Sequence, residues 1–227
     1  MKTNFASSTL GRKFVMAITG LLLVGFLVAH LSGNFLLYQK EGSLFNAYAQ
    51  KLASFGVLLY AAEVGLVAFF GFHAYNGIRL AFLKQRAKPV KYAVTQSKAG
   101  NSKWGLASNN MMVTGSVLLV FIVLHVIHFK YGRGLAEGYA VQVNNEEARD
   151  LHRLVVEEFK KPLITVLYTA VMVMLGFHLR HGIWSAFQTL GLTKENNSNK
   201  IYFVGGVLGV FLGFGFLTIP LYIYFFV

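Results

Sequence analysis

An all-α membrane fold with five transmembrane helices is what this sequence predicts, and three observations predict it. Apolar residues make up 55% of the 227-residue chain and charged ones only 13%, too few to clothe a soluble domain of this size. Five apolar stretches are each long enough to cross roughly 30 Å of hydrocarbon at about 1.5 Å per residue. Basic residues crowd alternate connections, the asymmetry that orients membrane proteins. No shift of composition marks a second globular unit, so residues 1–227 read as one transmembrane domain.

The spans fall at about 14–38, 56–83, 111–131, 162–190 and 202–226. The first, Phe14 to Tyr38, is too long for the apolar core of a cleavable signal peptide and lacks a convincing small-residue cleavage site. In the 39–55 connection Leu44, Phe45, Tyr48 and Leu52 recur at helical spacing, which predicts a short interfacial helix. The 84–110 loop carries Lys84, Arg86, Lys88, Lys91, Lys98 and Lys103 with no acid, and the N-terminal tail carries Lys2, Arg12 and Lys13. The 131–161 loop mixes its bases with Glu137, Glu146, Glu147, Asp150, Glu157 and Glu158. The N-terminus and the 84–110 loop are therefore expected in the cytoplasm and the C-terminus outside. Pro162 suits the first turn of the fourth span, and Pro220 is expected to kink or fray the last turn of the fifth.

The net charge of +12 reads as topology plus attraction to anionic lipids or an acidic partner, and not as nucleic-acid binding. The absence of cysteine excludes disulfides, thiolate zinc and iron–sulfur clusters carried by this chain alone.

Six of the seven histidines lie inside spans: His30, His73, His125, His128, His178 and His181. Ionisable groups are costly in lipid and normally functional there. Imidazole is a strong ligand for heme iron, and a six-coordinate heme wants two histidines from facing helices at one depth. The pattern G-F-H-x-x-x-G-I occurs twice, at Gly71–Ile78 and Gly176–Ile183, in two spans that run in the same direction. His and Gly four residues apart share one face, so the glycine leaves room for a porphyrin edge one turn from the ligand. His73 and His178 therefore pair, with His181 in a supporting place. By span counting they lie about 15 and 18 Å from the cytoplasmic end, whereas His30 lies at about 24, His125 at about 21 and His128 at about 25 Å. A second, outer pair is built on His30, and depth does not separate His125 from His128 as its partner.

The chain resembles the diheme b558 family, the cytochrome b membrane anchors of succinate dehydrogenases and fumarate reductases. The resemblance rests on Ala29-His30-Leu31-Ser32-Gly33-Asn34, Phe72-His73-x-x-x-Gly77, Arg86-Ala87-Lys88-Pro89-Val90-Lys91-Tyr92, Leu124-His125-Val126-Ile127-His128-Phe129, and the span-four run from Phe177 to Gly191. These motifs occur in order across essentially the whole chain. The resemblance implies a heme-binding bundle of the first four helices, with two heme b groups held through iron by one histidine from each. It chooses His125, so the outer heme takes His30 and His125 and the inner heme His73 and His178. It further implies a flavoprotein and an iron–sulfur subunit on the cytoplasmic side that carry the FAD and clusters. A quinone, expected to be menaquinone, is the redox substrate; membrane lipids and a dimer of the whole complex complete the expected partners. The bacterial cytoplasmic membrane is the implied location. Some menaquinol:fumarate reductases of this family carry a glutamate two residues before the span-four ligand. Here Gly176 stands there, so a glutamate proton path is not carried over.

Around the hemes, Arg79 and Arg180 are candidates to pair with propionates, and Ser32 and Trp184 are hydrogen-bond candidates. Glu63, the one acid well inside a span, is a candidate proton donor or acceptor for quinone chemistry; the alternative is a structural bond to a neighbouring helix. The basic 84–110 loop with Trp104 is the expected docking surface. Two other readings remain: a diheme anchor of a hydrogenase, formate dehydrogenase or nitrate reductase, and a heme-free transporter relaying protons through histidines. The span-four run disfavours the first, and the scarcity of intramembrane acids the second.

Overall fold

The computed structural model describes residues 8–87 and 110–227. Among them five helices are long and apolar enough to cross a membrane. The first, α1 (Thr9–Asn34), starts where the Ser8 hydroxyl accepts from the Gly11 amide at 3.0 Å and runs on through a 3₁₀ turn to Tyr38. After a short amphipathic helix α2 (Ser43–Ala53) comes α3 (Val57–Arg86), the barest of the spans. Helix α4 (Met111–His125) passes without a break into a π turn, Val126–Lys130. The last two spans are α6 (Pro162–Thr189), with Pro162 in its first turn as expected, and α7 (Ser198–Phe226). Pro220 does not end α7, which continues for six more residues to Phe226.

Four of the spans pack in a ring: α1 on α3, α3 on α4, α4 on α6, and α6 back on α1. The two diagonals, α1 with α4 and α3 with α6, do not pack closely. Helix α7 lies outside the ring, pressed into α6 along a ladder of glycines. A Cβ on Gly213 would stand 2.7 Å from the Gly176 Cα, and one on Gly209 2.6 Å from the Arg180 amide nitrogen. Small residues permit this approach, and in lipid such packing is what drives helices together.

The 131–161 segment is more than the loop expected of it. A hairpin of β1 (Ala140–Val143) and β2 (Glu146–Arg149) turns at Asn144 and Asn145, both with positive φ (52° and 65°), the two-residue hairpin conformation that asparagine tolerates best after glycine. Helix α5 (Leu151–Phe159) follows, capped by Asp150, whose carboxylate accepts from the Arg153 amide at 3.0 Å. Asn46 of α2 joins the pieces: its side-chain NH₂ donates to Asp150 at 2.8 Å and its oxygen accepts from the His152 amide at 2.9 Å. Gly42 is required twice over, by its φ of 70° and because a Cβ would lie 2.4 Å from the His152 ring. Helix α2, the hairpin and α5 thus form a cap on one end of the ring. Both segments expected outside the membrane meet there.

Candidate metal centre

The diagonals that do not pack are bridged by histidines. His73 on α3 faces His178 on α6 with ring centroids 6.4 Å apart, and His30 on α1 faces His125 at the end of α4 at 5.9 Å. Imidazole–metal bonds are about 2.0–2.1 Å, so two rings bound in line to one ion have centres roughly 6 Å apart. Both spacings meet that requirement.

The pair far from the cap is also oriented for it. His73 Nδ1–H donates to the Met16 carbonyl of α1 at 3.1 Å. His178 Nδ1 lies 3.2 Å from the Thr114 hydroxyl, whose single proton is directed to the Asn110 or Met111 carbonyl, so the hydroxyl accepts from the ring. Among the described residues no hydrogen bond reaches Nε2 of either ring. An outer partner on one nitrogen that fixes the tautomer and leaves the other free is the usual arrangement for a metal-bound histidine. Glycines crowd these rings: a Cβ on Gly20 would meet His73 Cε1 at 3.1 Å, and one on Gly115 would meet His178 Cε1 at 3.6 Å.

The cap-side pair sits in an aromatic sleeve instead. Phe26 stacks on His30 and Phe216 tilts against it (5.3 and 5.7 Å). Phe121 stacks on His125, while Phe129 and Tyr168 lean on the same ring (5.5, 5.4 and 6.1 Å). His125 Nδ1 is buried with no hydrogen-bond partner. The Asn34 amide stands 3.4 Å from both nitrogens of His30 and commits to neither; its firm bond is to the His30 carbonyl at 2.7 Å. Among the described residues no three His, Asp or Glu side chains converge as in an all-protein metal cage. The donors come in twos, the set that a tetrapyrrole completes, and they fit that group.

His128 has a different occupation. Its Nε2 meets Glu158 at 2.8 Å and its Nδ1 the Tyr168 hydroxyl at 3.4 Å, so both nitrogens are engaged. Glu158, 5% exposed, also accepts from Arg133 and Lys161 at 2.8 and 2.7 Å. Burial pushes its carboxyl pKa up, but hydrogen bonds from Lys161 and His128, with their charges, outweigh burial and hold it below the ordinary glutamate value.

The other expected residues are placed as follows. Arg79 lines an open groove with Phe82, Leu83 and Arg86 at the end of α3 away from the cap. Arg180 donates to the Tyr202 hydroxyl at 3.3 Å along the α6–α7 seam, where buried Trp184 packs edge-on to Tyr202 at 5.4 Å. Ser32 spends its hydroxyl on its own helix, donating to the Val28 carbonyl at 2.8 Å. Glu63 forms an ion pair with Lys130, joining α3 to the π turn. His181 is half-buried on α6. Most of the expected docking loop, residues 88–109 with Trp104, lies outside the described residues. Met16, Gly20, Thr114 and Gly115 were not found from sequence. They act across helices, and nothing in their own stretch of chain signals it. No protein-family model, curated protein or solved structure matches this chain.

Proposed function

We propose that the chain is the membrane-anchor cytochrome b subunit of a succinate:quinone oxidoreductase, conducting electrons between an iron–sulfur subunit and a quinone, menaquinone being the expected species. One observation carries the heme reading: two histidine pairs cross the two unpacked diagonals of one helix ring at 5.9 and 6.4 Å. The dehydrogenase that it serves is supported by the ordered family motifs alone. In this reading His30 and His125 hold the outer heme and His73 and His178 the inner one, with the N-terminus in the cytoplasm. A bound heme supplies a reversible one-electron carrier whose potential its surroundings set. The chain offers each site two neutral imidazoles; the Met16 carbonyl and Thr114 hydroxyl fix the inner rings, and the aromatic sleeve keeps water from the outer ones. In this reading Arg79 is the partner offered to anionic propionates. Iron–sulfur clusters fall to a partner subunit in this reading, because this chain has no cysteine to ligate them, and the flavin to the flavoprotein subunit that the resemblance implies.

The test is purification in mild detergent followed by heme assay, difference spectroscopy, subunit identification and a succinate:quinone assay on one sample. Two heme b per chain, with flavoprotein and iron–sulfur partners, is the expected result. A reduced-minus-oxidised spectrum without b-type bands would sink the heme reading. Bands accompanied by hydrogenase, formate dehydrogenase or nitrate reductase subunits would sink the assignment to succinate.

A further inference from the structure

Three of the pairing histidines differ from the fourth in how their rings are held. His73 and His178 are each tied through Nδ1, to Met16 and Thr114, and the His30 ring has the Asn34 amide against it. His125 Nδ1 is buried and has no partner. Its orientation therefore comes from packing alone, and the rings that pack it lead to one place. Phe129 leans on His125 at 5.4 Å and stacks on His128 at 4.8 Å. Tyr168 touches His125 at 6.1 Å, and its hydroxyl meets His128 Nδ1 at 3.4 Å.

His128 in turn is anchored to the cap. Its Nε2 bonds Glu158 at 2.8 Å, and that carboxylate is clamped by Arg133 and Lys161. His128 is the third residue of the π turn, which closes with the Tyr131 amide on the Val126 carbonyl at 3.2 Å. A π turn is rare and frequently marks a functional site. Here it begins directly after His125, so its geometry sets where the His125 ring can point.

We propose that His128 is a positioning residue for the outer site: anchored by Glu158, it locks the π turn and, through Phe129 and Tyr168, sets the His125 ring plane. The inference rests on the heme reading above. With both hemes bound, ring orientation is visible as the anisotropy of the low-spin signal in electron paramagnetic resonance, and it contributes to the midpoint potential.

The experiment compares the purified complex with variants His128→Leu, His128→Gln and Glu158→Gln. Expected is a shifted outer-heme signal and a several-fold change in its reduced fraction at fixed ambient potential, tenfold being about 59 mV for a one-electron couple. The inner-heme signal should not move and serves as the folding control. His128→Gln, which can still bond Glu158, should restore most of the wild-type signal. Loss of the outer heme in His128→Leu and His128→Gln but not in Glu158→Gln would make His128 itself a ligand and overturn the proposal. An unshifted outer signal in His128→Leu and Glu158→Gln, or equal shifts at both hemes, would overturn it while leaving the heme reading intact. A wild-type complex without low-spin heme signals would overturn both.

Discussion

Gly20 and Gly25 stand on the same helix, five residues apart, and differ in what lies over them. A Cβ on Gly20 would meet the His73 ring at 3.1 Å; one on Gly25 would meet nothing within 4 Å. Gly20→Val is therefore expected to displace the His73 imidazole and, on the heme reading proposed above, to lower heme content toward one per chain, while Gly25→Val leaves both; a pyridine hemochrome assay reads the difference. On the same reading, His73→Ala or His178→Ala should remove the inner heme alone, and His30→Ala or His125→Ala the outer alone, resolved as separate steps in a redox titration. The four pairing histidines were legible in the sequence because a polar ring in lipid needs a reason to be there. The choice of His125 over His128 was not legible from depth, since the two lie within one turn. In the structure both nitrogens of His128 are engaged, by Glu158 and Tyr168, whereas the His125 ring faces His30.

At the scale of elements, the close seam between α6 and α7 carries the next expectation. Gly209→Leu would put a side chain where even a Cβ comes within 2.6 Å of backbone, and overpacking of this kind costs about 1–3 kcal/mol. The expected outcome is a lower thermal midpoint in detergent, with α7 more accessible to protease, and the heme spectrum less affected than by Gly20→Val. The five spans were readable to within a few residues at most ends because bilayer thickness fixes their length. The largest boundary shift is at the start of α1, where Ser8 caps a helix that opens with Arg12 and Lys13 in its first turns, polar residues that a hydropathy window trims. The hairpin was not readable: its strands have four residues each, and only Asn144-Asn145 signals the turn. The last turn of α7 does not fray at Pro220: the helix runs on to Phe226, and a proline is tolerated within a span.

For the molecule as a whole, the cap is the part whose stability should follow pH. His152 is 8% exposed with an unpartnered buried Nε2. Burial lowers its pKa, against smaller opposing effects of the Asp150 charge and the Gln39 carbonyl. The unfolded chain then binds a proton more readily than the folded one. The stability that His152 contributes is full above its ordinary value near 6.5 and is lost as pH falls through the lowered one. Glu158, also lowered, gives a second loss beginning only below the ordinary glutamate value of about 4.3. Protection factors of α5 and hairpin amides, which divide out the intrinsic pH dependence of exchange, should fall in these two steps on acidification. His152→Asn should flatten the first and Glu158→Gln the second; protection factors that stay constant between pH 7 and 5 would contradict the first.

The Asn46–Asp150 bond that joins the cap spans 104 residues of sequence. At a synthesis rate of roughly 5–20 residues per second, α2 precedes its partner by about 5–20 s. During that interval Phe45 and Asn46, both buried in the finished fold, have neither α5 nor the hairpin to cover them. The cap can therefore close only after the third span has been delivered to the bilayer. A ribosome stalled just before Asp150 would leave α2 resting on the membrane surface, open to protease or chaperone, and release from the stall would hide it.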